Sequence, residues 1–185
     1  MPGADPLMLG TLEKVQGAEL KDLRQRCLVL MRHDGEPTKF PGAQPVSFER
    51  RHLTAGAPSA VSLLTSPYFA AEKTDGVRYM LLILGARGAF TVDRNFDMRR
   101  LPGMRFPCRD DPDGKLDATL LDGELVIDAH ATADTADPAE ANGASSGASR
   151  RLRFLAYDAC CVANKPCIDE SLCVPRLPTS DRSSC

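Results

Sequence analysis

Residues 77–94, VRYMLLILGARGAFTVDR, carry the pattern that decides the fold. Two apolar runs, VRYMLLIL and GAFTVDR, are separated by the turn sequence GARG at 85–88. Strands joined by so short a turn pair antiparallel, because a parallel pair needs a crossover of a dozen or more residues. The stretch therefore predicts an antiparallel hairpin.

Further strands are predicted on both sides of this hairpin. YFAAEK at 68–73 precedes it, and RLRFLAYDA at 151–159 follows it. ATLLDGELVIDA at 118–129 predicts two strand halves, broken by a turn or bulge at Asp122-Gly123. Residues 102–117 predict a loop. Residues 129–150 are rich in Ala, Ser, Asp and Gly without an apolar period, which indicates a disordered surface insertion.

The segment before the strands predicts one amphipathic helix and two connectors. Residues 18–31 place Leu20, Leu23, Cys27 and Leu30 at helical spacing. Residues 34–47 contain three Pro and two Gly, and residues 53–58 predict a second loop. The expected fold class is α+β, with antiparallel β-sheets and flanking helices.

Composition narrows the classes of function. Apolar residues make up 43% of the 185, and no window approaches the roughly 18 apolar residues of a membrane helix. We expect an intracellular chain without a signal peptide. The net charge of −2 provides no overall field for nucleic acid, and the arginines at 94, 99, 100, 105 and 109 indicate a solvated face. The seven cysteines, an odd number, predict reduced thiols.

The clearest chemical motif is Lys73-Thr74-Asp75-Gly76-Val77-Arg78. A lysine beside a turn and a second cation suits an amine nucleophile, because a neighbouring positive charge favours the neutral amine. Arg78 also suits ribose or phosphate oxygens, and Gly76 permits a tight turn beside a ligand. The alternative is an exposed hairpin with an ion-paired lysine.

Three further residues extend this motif. Glu124, in LLDGELV, suits ribose hydroxyls or a divalent metal, although a strand-edge glutamate is the alternative. Tyr157, in FLAYD, suits stacking on a purine, although core packing is the alternative. Arg94, in VDR, is a further cation for a triphosphate.

In this order the motifs resemble those of GTP:RNA guanylyltransferases, the mRNA capping enzymes. FPGAQPVSFERRHL at 40–53 is similar to the segment before the nucleophile strand in cellular capping enzymes, and distinguishes them from polynucleotide ligases. The resemblance runs from about residue 12 to 166. It implies the catalytic fold shared by covalent nucleotidyltransferases, with a partial domain at 67–166 after an N-terminal helix and connector at 1–66.

The resemblance also implies a reaction and its participants. Lys73 would take GMP from GTP and pass it to the 5′-diphosphate end of RNA, with magnesium or manganese bound. Arg78 and Glu124 would hold the ribose, Glu124 also being a candidate metal ligand, and Arg94 would hold the phosphates. Tyr157 would stack on guanine; Thr74 would touch the base, and Asp75 would orient the turn. A nuclear location and contact with the RNA polymerase II tail are further implications.

The chain departs from the family pattern after residue 166. No Lys-x-Lys pair follows Lys165, Glu170 is not followed by Gly, and the irregular tail at 167–185 is too short for an OB-fold domain. We therefore expect an incomplete domain with weak activity alone. The alternatives are a non-catalytic interaction or regulatory remnant of a capping enzyme, and an ATP-dependent polynucleotide ligase fragment.

Overall fold

In the part of the chain that the structure describes, a helix packs on an antiparallel sheet. A computed structural model describes residues 9, 11–54, 62–65, 73–108, 111–128 and 151–170. The elements are α1 Gly17–Leu30, β1 Val77–Ile83, β2 Ala89–Val92, β3 Met98–Leu101, β4 Thr119–Asp128, β5 Arg151–Val162 and β6 Lys165–Pro166. The strand order is β3-β2-β1-β4-β5-β6, with every neighbouring pair antiparallel. The predicted hairpin and the antiparallel arrangement are confirmed.

Helix α1 covers one face of the sheet. Its residues Leu23, Cys27 and Leu30 recur every three or four positions and are all buried. They belong to the same core as Met80 and Leu82 of β1. Within the described residues, no helix has the length and apolar character needed to cross a membrane.

The other face of β1 packs against a smaller apolar group, which is why the VRYMLLIL run is apolar on both sides. Leu81 and Ile83 are buried there, with Phe154 of β5 packed against them. A strand buried on both faces loses the alternation of apolar and polar residues. Only the β1 end that begins at Val77 carries exposed or half-buried side chains.

Two strand predictions need correction. Residues 119–128 form one continuous strand, not two halves. The irregularity expected near Asp122-Gly123 exists as a shift in the pairing with β5, so it is a bulge and not a turn. Strand β3 was not predicted, because a four-residue strand with two arginines gives no clear period.

The prediction that these arginines form a solvated face is wrong for two of them, Arg99 and Arg100. Arg100 forms an ion pair with Glu19 of α1, with Nη2 2.6 Å from Oε1. Arg99 donates from Nη1 to the carbonyl of Leu12 at 3.1 Å. Both arginines are half-buried and tie the N-terminal segment to β3. Arg94 and Arg105 are exposed, as predicted.

The described cysteines agree with the prediction of reduced thiols, since none of them forms a disulfide: Cys27, Cys108, Cys160, Cys161 and Cys167. The predicted insertion at 129–150, residues 68–72 of the YFAAEK strand, and the tail from 171 onwards lie outside the described residues.

Residues Gly42–Thr74 form a second compact unit, separate from the unit of Met1–Pro41 and Asp75–Cys185. Its described part contains a short 3₁₀ helix, Arg50–Leu53, which Glu49 and His52 cap reciprocally. No regular helix or strand is described over residues 34–47, in agreement with the predicted connector.

Candidate active site

Four polar side chains from three neighbouring strands form a group on the sheet. Arg78 lies on β1, Asp122 and Glu124 on β4, and Tyr157 on β5. Arg78 is the register partner of Glu124, and Asp122 lies two residues before Glu124 on the same face. The group lies at the β1 end that begins at Val77.

Asp122 is the centre of this group. Arg78 donates from Nε to Asp122 Oδ1 at 2.9 Å, and its Nη2 bonds to Oδ2, which makes a two-pronged ion pair. The side chains are 13% and 9% exposed, so both charges are largely withdrawn from water. The hydrogen bond to Asp122 raises the pKa of Arg78 above its ordinary value, so Arg78 stays charged.

Arg78 has an aromatic neighbour as well. Its guanidinium carbon lies 5.8 Å from the ring centroid of Phe40, within the range of a cation–π contact. Phe40 in turn packs edge-on against the buried Phe96. Arg78 is therefore held from two sides, and its charge is balanced by Asp122.

A bulge in β5 brings Tyr157 to this group. Asp122 pairs with Asp158 and Gly123 with Ala156, so Tyr157 is the extra residue of β5. Bulges of this kind redirect a side chain. The Tyr157 hydroxyl donates to Asp122 Oδ1 at 3.1 Å, while the residue remains 51% exposed.

The phenol of Tyr157 is held in its neutral form. Burial is the main cause that raises the pKa of Tyr157 to about 12, and the negative charge of Asp122 is the second cause. A neutral phenol anchored at its hydroxyl leaves its ring available to an apolar ligand. The predicted alternative of plain core packing for Tyr157 is wrong, because half of the residue is open to solvent.

Two glycines allow β1, β4 and β5 to approach closely around these side chains. A Cβ atom on Gly76 would lie 2.4 Å from the Leu125 carbonyl oxygen, and one on Gly123 would lie 2.5 Å from the Leu155 carbonyl oxygen. Neither glycine has a positive φ. Gly76 is thus needed for the close contact with β4, and the chain bends at residues 75–76, just before β1. Its amide donates to Glu124 Oε1 at 3.2 Å.

The remaining predicted site residues are Lys73, Thr74, Asp75 and Arg94. Lys73 is exposed and Thr74 half-buried, and both belong to the unit of Gly42–Thr74. Asp75 is exposed at the start of the other unit. Arg94 is exposed and follows Val92 of β2 by two residues. Because Val92 pairs with Met80, Arg94 lies at the end of the sheet that carries Arg78.

Sequence reasoning missed Asp122 and Phe40. The signal for Asp122 was available, because residues i and i+2 of a strand point to the same face and Glu124 had been selected. Phe40 is the first residue of the FPGAQPVSFERRHL segment, but no local pattern links it to Arg78, which lies 38 residues further along the chain.

The sequence is similar to those of several known proteins. Residues 8–183 match the family described as "mRNA capping enzyme, catalytic domain". The chain is 32% identical over 180 residues to the mRNA-capping enzyme subunit alpha of Saccharomyces cerevisiae, covering 90% of this chain and 33% of the yeast protein. It is 34% identical over 119 residues to the mRNA-capping enzyme of Mus musculus, covering 64% of this chain and 18% of the mouse protein.

An antiparallel sheet with a helix packed on it defines a domain of the α+β class. The match over residues 8–183 identifies it further: the chain belongs to the mRNA capping enzyme catalytic-domain family. It spans about a third of the length of the yeast relative and less than a fifth of the mouse relative.

Proposed function

We propose that this chain acts in mRNA guanylyl transfer, capturing GMP from GTP on Lys73 for delivery to the 5′-diphosphate end of RNA. The observation that carries the proposal is the placement of Arg78, Asp122, Glu124 and Tyr157 together on β1, β4 and β5. The strand that presents Arg78 follows directly from the Lys73 motif. The family match supports the same reading.

The first step is a substitution at the α-phosphorus of GTP. The neutral amine of Lys73 attacks, an N–P bond forms, the bond to the bridging oxygen breaks, and pyrophosphate leaves while the amine loses a proton to solvent. In the second step a terminal phosphate oxygen of the RNA attacks the same phosphorus. The N–P bond then breaks, and Lys73 recovers its proton.

The sheet residues would bind the nucleoside. Arg78 and Glu124 would hold the ribose hydroxyls, because a fixed guanidinium and a carboxylate donate to and accept from vicinal hydroxyls. Tyr157 would stack on guanine with its exposed ring. Thr74 would touch the base, Asp75 would orient the lysine segment, and Arg94 would hold the phosphates.

The donor set fits a magnesium or manganese ion only if the nucleotide supplies most of the ligands. Asp122 is already bonded to Arg78 and Tyr157, so Glu124 is the carboxylate that would hold the ion. Among the described residues, no group of three or more His, Cys, Asp or Glu side chains could form a metal site by itself. Magnesium commonly uses one or two carboxylates together with phosphates. When bound, it would offset negative charge on the phosphates.

The wider setting is part of the same proposal. Residues 67–166 would form part of the catalytic domain shared by covalent nucleotidyltransferases, preceded by the helix and connector of residues 1–66. The protein would act in the nucleus on nascent transcripts, in contact with the RNA polymerase II tail. The yeast relative is named mRNA-capping enzyme subunit alpha and the mouse relative mRNA-capping enzyme, which supports the role in mRNA capping.

The test is incubation with α-labelled GTP or ATP and magnesium or manganese, followed by detection of acid-labile label on the protein. We expect label from GTP alone, its loss in Lys73→Ala, and its retention in Lys165→Ala, which removes an exposed lysine on β6. Label from ATP alone would replace the proposal with a ligase-type reaction. No label from either nucleotide would contradict GMP capture by this chain and favour a non-catalytic role.

A further inference from the structure

We infer that Asp122 is a positioning residue that joins Arg78 and Tyr157 into one nucleoside-binding unit across three strands. This inference rests on the proposed function and adds a residue to it. Asp122 itself is only 9% exposed, so it acts through the two side chains that it holds.

The geometry makes the two bonds of Asp122 interdependent. Oδ1 accepts from both Arg78 Nε at 2.9 Å and the Tyr157 hydroxyl at 3.1 Å. One carboxylate oxygen therefore fixes the guanidinium on β1 and the phenol on β5. Because these partners lie 44 and 35 residues from Asp122 in sequence, no local turn could replace this link.

Each partner depends on Asp122 for a different reason. Arg78 is 13% exposed, and a guanidinium withdrawn from water needs a counter-ion at this depth. Tyr157 is a bulged residue that is half exposed to solvent, so a bond at its hydroxyl restricts the position of its ring. The hydroxyl bond to Asp122 selects one ring position.

The kinetic consequence follows from what the two side chains would touch. Arg78 and Tyr157 bind ribose and base, not the reacting phosphorus, so their contacts are equally strong in the ground state and the transition state. Loss of such uniform binding raises the half-saturating substrate concentration and leaves the maximal rate unchanged. Asp122 should therefore affect GTP saturation and not the chemical step.

The experiment measures single-turnover formation of the lysine–GMP adduct against GTP concentration. Asp122→Asn, which keeps the shape but removes the charge, should raise the half-saturating GTP by about tenfold or more, with a maximal rate near wild type. Tyr157→Phe should raise it by a smaller factor. The effects of the two substitutions should be less than additive in the double variant, because Arg78 and Tyr157 share Oδ1 of Asp122.

Asp97→Asn is the matched control. Asp97 is also an ion-paired aspartate of the sheet unit, bonded to Lys14 at 2.8 Å, but it lies outside the group around Asp122. Its loss should leave GTP saturation unchanged. If Asp97→Asn shifts saturation as much as Asp122→Asn does, the effect is a general loss of structure, and the positioning role is refuted.

A second readout needs no nucleotide. Absorbance at alkaline pH follows the ionisation of tyrosine, and Tyr157→Phe identifies the contribution of this phenol. Asp122→Asn should lower the pKa of Tyr157, because it removes a negative charge that raises this pKa. Far-UV circular dichroism at each pH, with Asp97→Asn in parallel, separates ionisation from unfolding.

The outcomes separate this inference from the proposed function. If the wild type forms the adduct and Asp122→Asn saturates normally, the positioning role is overturned and the proposed function stands. If the wild type forms no adduct, the proposed function falls, and the positioning role that rests on it falls too. Whatever the adduct assay shows, an unshifted tyrosine titration would refute the coupling of Asp122 to Tyr157. Tyr157→Phe leaves the Arg78–Asp122 ion pair in place, so it tests the role even if Asp122→Asn folds poorly.

Discussion

Gly123→Ala should destabilise the protein, because β4 and β5 leave no room for a side chain at this position. The added Cβ atom would lie 2.5 Å from the Leu155 carbonyl oxygen and 2.5 Å from Phe154 Cζ. An ordinary contact needs almost 1 Å more. The Phe154 ring can turn aside, but the carbonyl of a neighbouring strand moves only if the two strands separate.

The expected cost follows from two effects. Overpacking a well-filled site costs about 1–3 kcal/mol. Separation of β4 from β5 also weakens at least one ladder hydrogen bond, worth about 1 kcal/mol. The sum is about 2–4 kcal/mol, a large part of the roughly 5–15 kcal/mol by which folded proteins are stable.

Urea denaturation followed by far-UV circular dichroism measures this cost. With a slope of about 2 kcal/mol per M, the unfolding midpoint should fall by about 1–2 M. Gly103→Ala is the control: Gly103 has a φ of +69° and no atom within 4 Å of its would-be Cβ. It should cost about 1 kcal/mol through backbone strain alone. Equal midpoints for the two variants would refute the close approach as the reason for glycine at 123.

Two further predictions rest on particular contacts. Gly76→Ala should reduce formation of the lysine–GMP adduct, because its Cβ would lie 2.7 Å from Glu124 Cγ and displace that carboxylate. Equal adduct yield in the variant and the wild type would contradict this. Cys27 should resist alkylation at pH 8, while the half-buried Cys108 should react. The reason is that burial, and to a smaller extent the nearby Cys160, raises the pKa of Cys27 to about 12. Mass spectrometry of the modified peptides measures both sites, and equal labelling would show that Cys27 is accessible.

Sequence patterns were sufficient wherever the signal was local. The period of Leu23, Cys27 and Leu30 predicts α1 to within a residue of its observed bounds. The apolar run before GARG predicts β1, because a strand buried on both faces leaves a continuous signature. Local patterns failed at β3, whose arginines form ion pairs and hydrogen bonds with the N-terminal segment that no four-residue window contains.

The sequence alone established the strands around 77–94, the helix before them, and the motifs that place the chain in its family, because each is a pattern of adjacent or periodic residues. Only the tertiary structure decided how the site is assembled. The register of β1 with β4 and the bulge in β5 bring Arg78 and Tyr157 to one carboxylate, that of Asp122. Pairing over 35 to 44 residues depends on the packing of the whole sheet, which no local pattern contains.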